Sequence, residues 1–360
     1  MKYVHERPEW PRFHWDDNAL APLLAEVRYR QGRFLGRLEG LGFSLQQDAL
    51  LGTLTTDVLK TSEIEGERLD AEEVRSSIAR RLGIEIGTLN PADRNVEGVV
   101  EMMLDATGEY RTPLTRERLW RWYSWLFPDQ TGQWRDDALG PMQVVSGPIG
   151  RQRVHYEAPA AARLPQEMAA FLDWLRADEA IDGVLRSALA HLWFATIHPF
   201  DDGNGRIARA IADRELARSE GSRQRFYSMS AQIRLERKAY YDIFERTQRG
   251  TLDITAWMAW FLACLSRAIA QAQTELSAVL AKAQFWQSVA DVPLNARQRT
   301  MLNRLLDGFE GHLTNAKWAA LGKCSADTAL RDLQYLVERG VLAKGPEGGR
   351  STSYRRIGNS

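Results

Sequence analysis

The stretch His198-Pro-Phe-Asp-Asp-Gly-Asn-Gly-Arg-Ile-Ala-Arg209 packs a base, a hard metal ligand, a glycine-rich turn and two arginines into twelve residues. Together they describe a phosphate site. Pro199 takes the chain out of helix, because the residue before a proline avoids the α region, so the His198 imidazole can project into a cleft. With an ordinary pKa near neutrality it would serve as a general base. Gly203-Asn204-Gly205 offers unencumbered backbone N–H groups where the next helix begins, and helix N-termini hold phosphate through such donors and the macrodipole. Asp202 would set a hard oxygen beside a Mg²⁺ bridging two phosphates. Arg206 and Arg209, three apart, share a helix face and can grip distal phosphate oxygens. Each element alone has a plainer reading. Asn-Gly is a common hairpin turn, Asp-Asp can cap a helix, and arginines often line a solvated edge. Their conjunction at fixed spacing favours the phosphate site.

The elements that must position this stretch are mostly helices. Leu185, Leu189, Leu192, Trp193 and Phe194 make residues 184–197 an almost wholly apolar helix, a buried one that would hold the site rigidly. Helices are also expected after a cap at residues 16–18, over about 44–60, 70–82, 92–107, from Thr115, and over 207–220, 231–248 and 254–284. The second of these delivers Thr61-Ser-Glu-Ile-Glu65-Gly66 at its C-terminal end, with Gly66 as the left-handed cap. Between residues 132 and 159 the period changes. Met142, Val144 and the turn Ser146-Gly-Pro-Ile-Gly150, then Val154-His-Tyr156, read as a two-stranded hairpin. After a composition shift at residues 287–293 come three helical segments, about 295–307, 314–321 and up to Arg339, and a two-stranded wing, the winged-helix order. The fold class expected is mainly α, with segments 1–90, 91–286 and 287–360.

The central stretch resembles the Fic motif, His-x-Phe-x-(Asp or Glu)-Gly-Asn-Gly-Arg-x-x-Arg, matched by His198, Phe200, Asp202, Gly203, Asn204, Gly205, Arg206 and Arg209. The resemblance implies a Fic-type helical domain with a β-hairpin flap, and adenylyl transfer from ATP to a Ser, Thr or Tyr hydroxyl of a target protein. In that scheme His198 takes the hydroxyl proton and Asp202 holds Mg²⁺. Gly203, Asn204 and Gly205 neutralise phosphate charge, Arg206 and Arg209 hold the β- and γ-phosphates, and Phe200 anchors the loop. Thr61, Glu65 and Gly66 match the family's inhibitory pattern, (Ser or Thr)-x-x-x-Glu-(Gly or Asn), in which Glu65 would reach Arg209 and misalign ATP. An Arg–carboxylate pair competes directly with an Arg–phosphate pair. The 142–156 hairpin is similar to the family's flap, whose strand edge would pair with a target segment. Tyr240, Tyr241 and Gln248 sit where such proteins contact adenine, although core packing is an equal reading for the tyrosines. The Trp-rich start resembles the leader of a bacterial Fic subgroup that ends in a winged helix.

Composition sets the remaining bounds. The chain has 360 residues, 44% hydrophobic and 26% charged, and 47 Lys plus Arg against 47 Asp plus Glu provide no global field for nucleic acid or anionic membrane. No secretory h-region or membrane-spanning run is apparent, and Cys264 and Cys324 lack metal-ligand spacing, so a cytoplasmic protein is expected. In the last module Lys323, Arg331, Lys344, Arg350, Arg355 and Arg356 are interspersed with Asp327, Asp332, Glu338 and Glu347. Protein contact or homodimerisation is favoured there over DNA binding. Two alternatives stay open: removal of AMP from a modified protein by the same site, and a nucleotide-sensing DNA-binding regulator.

Overall fold

The computed structural model describes residues 2–357 apart from 88, 139, 149–150, 178–179, 307–308, 310 and 346–351. It divides into two compact units, residues 1–273 and 274–360. In the first, α1 (Asp17–Glu39), α2 (Phe43–Ile64), α3 (Ala71–Leu82), α4 (Arg94–Gly108) and α5 (Arg116–Leu126) precede a hairpin of β1 (Gln143–Ser146) and β2 (Arg153–Glu157). Then follow α6 (Leu164–Arg176), α7 (Gly183–Ile197), α8 (Asn204–Glu220), α9 (Met229–Leu235), α10 (Arg237–Gln248) and α11 (Thr255–Ser288), the last running on past residue 273. Asp16, Asp70, Asp93, Thr115 and Asp182 each accept backbone N–H bonds as N-caps, which starts these helices where the sequence places short polar side chains. The helix expected over 231–248 is two helices. Glu236 leaves helical dihedrals between them and pairs with Arg267 of α11 at 2.6 Å.

The core is built around α7, whose side chains are buried nearly all round and which packs along α8. Gly98 permits the close crossing of α4 and α5, since a Cβ there would lie 1.8 Å from the Trp125 carbonyl oxygen. α2 packs against α3 and along α9 and α8, so the segment expected as an N-terminal part lies within the first unit. The Trp-rich start, whose role did not follow from its residues, packs on α6 and α7. Trp10 and Phe13 meet Trp193 edge to face, and Trp10 donates to Glu167 at 2.7 Å. Tyr3 and His5 close on Tyr156 of β2, whose hydroxyl donates to the Thr196 carbonyl at 2.7 Å. The base of the hairpin is thereby tied to the last turn of α7.

The second unit contains α12 (Ala296–Leu306), β3 (Leu313–Thr314), α13 (Asn315–Leu321), α14 (Ala326–Glu338), β4 (Leu342–Lys344) and β5 (Ser353–Arg356), with antiparallel sheet order β3-β5-β4. The three helices and the last two strands follow the order expected for residues 287–360, whereas the short strand β3, which pairs with β5, was not expected. Its core gathers Met301, Leu302, Trp318, Leu333 and Leu336. Asp332 does not dilute the surface charge as expected. It is buried and accepts from Arg297, Gln298 and Trp318. Arg350 and Glu347 lie outside the described residues, as do Ile149 and Gly150 of the hairpin turn.

Candidate nucleotide-binding site

His198 caps α7 in the left-handed conformation, φ +53°, an uncommon state for a residue with a Cβ. Arg135 holds it there. Its Nε donates to the His198 carbonyl at 2.8 Å, its backbone N–H to Pro199 at 2.9 Å and its Nη2 to Pro159 at 2.5 Å. Nothing in local sequence marked Arg135, because its partners are contributed by loops far along the chain. The His198 Nδ1 lies 3.2 Å from the Ala195 carbonyl, which can only accept, so Nδ1 carries the proton and Nε2 keeps a free lone pair. Burial pushes the imidazole down to about 4, partly offset by the Ala195 bond and by the Glu65 and Asp202 carboxylates. The near-neutral value expected from the sequence is therefore corrected. A depressed pKa keeps the ring neutral, and so basic, from about pH 4 upward. Accordingly, kcat/KM of an activated chain such as Glu65→Gly, which loses one of the carboxylates that raise the value, should show its acid limb at about 4 or below in a pH–rate profile, well under the free-imidazole value.

The turn after His198 is fixed from inside. Phe200 is fully buried and stacks on Tyr123 with centroids 4.5 Å apart. The Asn204 amide accepts from Phe200 N at 3.0 Å and donates to Phe200 O at 2.7 Å. Its side chain thus closes the loop, and what Asn204 can offer a phosphate is its backbone N–H. Gly203 has φ +74° and a Cβ there would stand 2.9 Å from the Phe127 ring, so only glycine fits. Asp202 is exposed and accepts from Gly203 N through one oxygen at 2.6 Å. Among the described residues no group of three His, Cys, Asp or Glu side chains could cage a metal. A lone carboxylate at a phosphate cradle fits Mg²⁺, which takes most of its ligands from phosphate and water.

Both arginines are buried and both meet carboxylates. Arg209 donates from Nε to Thr61 Oγ1 at 2.7 Å and from Nη2 to Thr61 O at 2.9 Å, and its Nη2 lies 2.7 Å from Glu65 Oε1. Thr61 and Glu65 reach it because α2 ends at Ile64 and Gly66, at φ +92°, turns the chain away. The Glu65 carboxylate lies over the glycine cradle, 2.2 Å from where a Cβ on Gly205 would be. The Arg209 Nη1, 3.3 Å from that same point, is buried without a hydrogen bond among the described residues. A buried orphan donor beside N–H groups suits an anion. Arg206 donates to Glu67 at 2.6 Å and lies over the Phe127 ring. Glu67 escaped the sequence reading because it stands outside the six-residue pattern.

One open cleft of about 890 Å³, within the usual size of a small-molecule site, is lined by Glu65, His198, Asp202, Gly203, Asn204 and Gly205. Tyr240, Tyr241 and Gln248 line it too, so the structure brings these residues to one wall. The core reading also holds in part. Tyr240 is buried, its hydroxyl 2.9 Å from His191 Nε2, whereas Tyr241 is 39% exposed. Arg206 and Arg209 lie outside the lining, buried and engaged with Glu67 and Glu65. Residues 142–146 and 155–156 of the hairpin line it as well. Arg249 of the chain after α10 donates to the Val154 and His155 carbonyls of β2 at 2.8 and 2.9 Å. Among the described residues no helix is long and apolar enough to cross a membrane.

Comparison with known proteins fits this geometry. Residues 113–216 match the Fic/DOC family, and residues 3–84 match a domain of unknown function, DUF4172. A probable protein adenylyltransferase of Aquifex aeolicus is 38% identical over 56 residues, 16% of this chain and 18% of that protein. A protein adenylyltransferase Fic of Nematostella vectensis is 32% identical over 113 residues, 31% of this chain and 25% of that one. The chain thus spans a quarter or less of these relatives. The crystal structure of a Fic family protein from Desulfovibrio desulfuricans matches 96% of this chain and 98% of its own, with TM-score 0.57 and 21% identity, a likeness of fold. Residues 113–216, the part of the chain that matches the Fic/DOC family, take in His198, Asp202, the glycine cradle, Arg206 and Arg209.

Proposed function

We propose that the chain transfers AMP from ATP to a Ser, Thr or Tyr hydroxyl of a target protein, and that Glu65 holds this activity off at rest. The observation that carries the reading is the grip of Thr61 and Glu65 on Arg209, set on the glycine cradle beside His198. The names of the curated relatives, protein adenylyltransferases, support the reaction class. His198 Nε2 would accept the proton of the attacking hydroxyl. Backbone N–H groups at residues 203–205 would meet the phosphates, with Arg206 and Arg209 on the β- and γ-phosphates once the two glutamates withdraw. Tyr240, Tyr241 and Gln248 would wall the adenine. Asp202 would hold Mg²⁺, which when bound neutralises phosphate charge. With Arg249 on the β2 carbonyls, β1 is the strand edge on which a target segment would dock. The test is transfer of label from α-labelled ATP to lysate proteins. Label on discrete proteins that needs His198 supports the reading, and none from wild type or Glu65→Gly would overturn it.

A second reading rests on a specific feature. The Glu65 carboxylate lines the same cleft as His198, so it can align a water for removal of AMP from a modified protein. Release of AMP from a modified target, lost in Glu65→Gln, would favour removal over transfer.

A further inference from the structure

Two carboxyl groups meet in the buried seam between α2, which leads to Thr61 and Glu65, and α8, which starts at the glycine cradle. Asp57 and Thr61 are four apart on α2, and Arg209 and Asp213 four apart on α8, so each pair shares a helix face. Thr61 meets Arg209, and one turn further along the seam Asp57 is hydrogen-bonded to Asp213. Both acids are buried. Two ionised carboxylates only accept, so this contact requires a proton. The neighbours say where it sits. Asp57 Oδ1 accepts from the hydroxyl of Ser228, the N-cap of α9. Asp213 Oδ1 lies 3.1 Å from Arg225 Nη1, whereas Asp213 Oδ2 meets no donor among the described residues. The proton therefore belongs on Asp213 Oδ2, which donates it to Asp57.

The charged groups facing Asp213 are Asp57 from α2, Arg225 from the chain before α9 and Arg209 from α8 itself. Glu220 and Tyr227 stand behind Arg225, and His191 of α7, kept neutral by burial, stands behind Arg209. Burial pushes the Asp213 carboxyl up to about 8; Arg225 opposes the rise, and the charge and hydrogen bond of Asp57 add to it. A carboxyl raised in this way holds α2 on α8 at low pH, and that contribution is lost as pH rises through about 8. Above it, two carboxylates share Arg225 in a buried seam, one turn from the Thr61 grip on Arg209.

We propose that the Asp57–Asp213 pair is a proton-operated catch on the gate: while the two share a proton, α2 stays seated with Thr61 and Glu65 on Arg209, and loss of that proton unseats α2 and opens Arg209 to phosphate. This rests on the restraint by Glu65 in the reading above and names what relieves it.

The experiment compares initial rates of AMP transfer from α-labelled ATP by wild type and by Glu65→Gly as pH is raised. Glu65→Gly lacks the restraint, so the ratio of the two rates removes effects of pH on substrate and chemistry. That ratio is expected to climb about tenfold between about pH 7 and about pH 9, the factor by which one proton of that affinity shifts a two-state equilibrium. Asp213→Asn and Asp57→Asn should each keep it flat, because an amide supplies the donor at every pH. Amide exchange along α2, corrected for the intrinsic rate, should rise over the same range in wild type and not in Asp213→Asn. A constant ratio of wild type to Glu65→Gly, or a climb that persists in both asparagine chains, would overturn the inference and leave the transfer reading standing. No transfer by either chain at any pH would sink the reading and the inference with it.

Discussion

Replacing Glu65 by glycine is expected to raise the initial rate of AMP transfer by about 10- to 100-fold. The estimate follows from the contact itself. A hydrogen bond between charged groups is worth roughly 1.5–3 kcal/mol, and each 1.4 kcal/mol is a factor of ten in the population released. Arg209 is 2% exposed and Glu65, on the open cleft, 29%, so solvent screens the pair only in part. Removing Glu65 does two things at once. It frees the Nη2 proton that met Glu65, the other staying on Thr61 O, and leaves Nη1 unmet, so the guanidinium can meet a terminal phosphate. It also clears the space over Gly205 that the carboxylate fills. Glu65→Gln should give a smaller gain, because the amide keeps the volume and loses the charge. Rates with α-labelled ATP on the two variants separate these contributions, and equal rates for Glu65→Gly and wild type would dismiss a restraining role.

The second large effect is expected at His198. His198→Ala in the Glu65→Gly background should lower transfer by about 10²- to 10⁴-fold, the usual worth of a positioned general base. ATP binding should change little, because the cradle is built by Phe200, Gly203 and Asn204, whose contacts do not involve the imidazole. Titration of nucleotide affinity beside the rate distinguishes loss of the base from collapse of the loop. Arg135→Ala offers a graded comparison. It leaves the ring in place and the backbone bond from residue 135 to Pro199 intact, but removes the two side-chain hydrogen bonds to the carbonyls of Pro159 and His198, so its rate should fall between those of the Glu65→Gly chain and the His198→Ala chain.

The site was legible in the sequence where its parts are neighbours in the chain. Residues 198–209 state their chemistry in one turn and the helix after it, and Gly66 was legible as the left-handed residue that ends α2. Helix starts were legible for the same reason, since each cap is set by a polar side chain two or three residues away. What escaped lies across long separations. Arg135 supports His198 from another loop, Glu67 meets Arg206 from the end of α2, and Glu245 reaches His155 from α10. No periodicity encodes such pairs. The basicity of His198 escaped because the burial that lowers it is contributed by the whole fold. That the Asn204 side chain closes the loop was not legible either, although a short amide beside a tight turn readily bonds its own backbone. The break at Glu236 depends on an ion pair with a residue thirty-one positions on, which leaves no local mark.

The most direct test is a double-mutant cycle on AMP transfer with Glu65→Gly and Arg209→Ala. If Glu65 restrains the site through Arg209, Glu65→Gly accelerates transfer when Arg209 is present and gives no gain when it is alanine, the two Arg209→Ala chains being equally slow. The same fold increase with and without Arg209 would contradict a gate built on that pair.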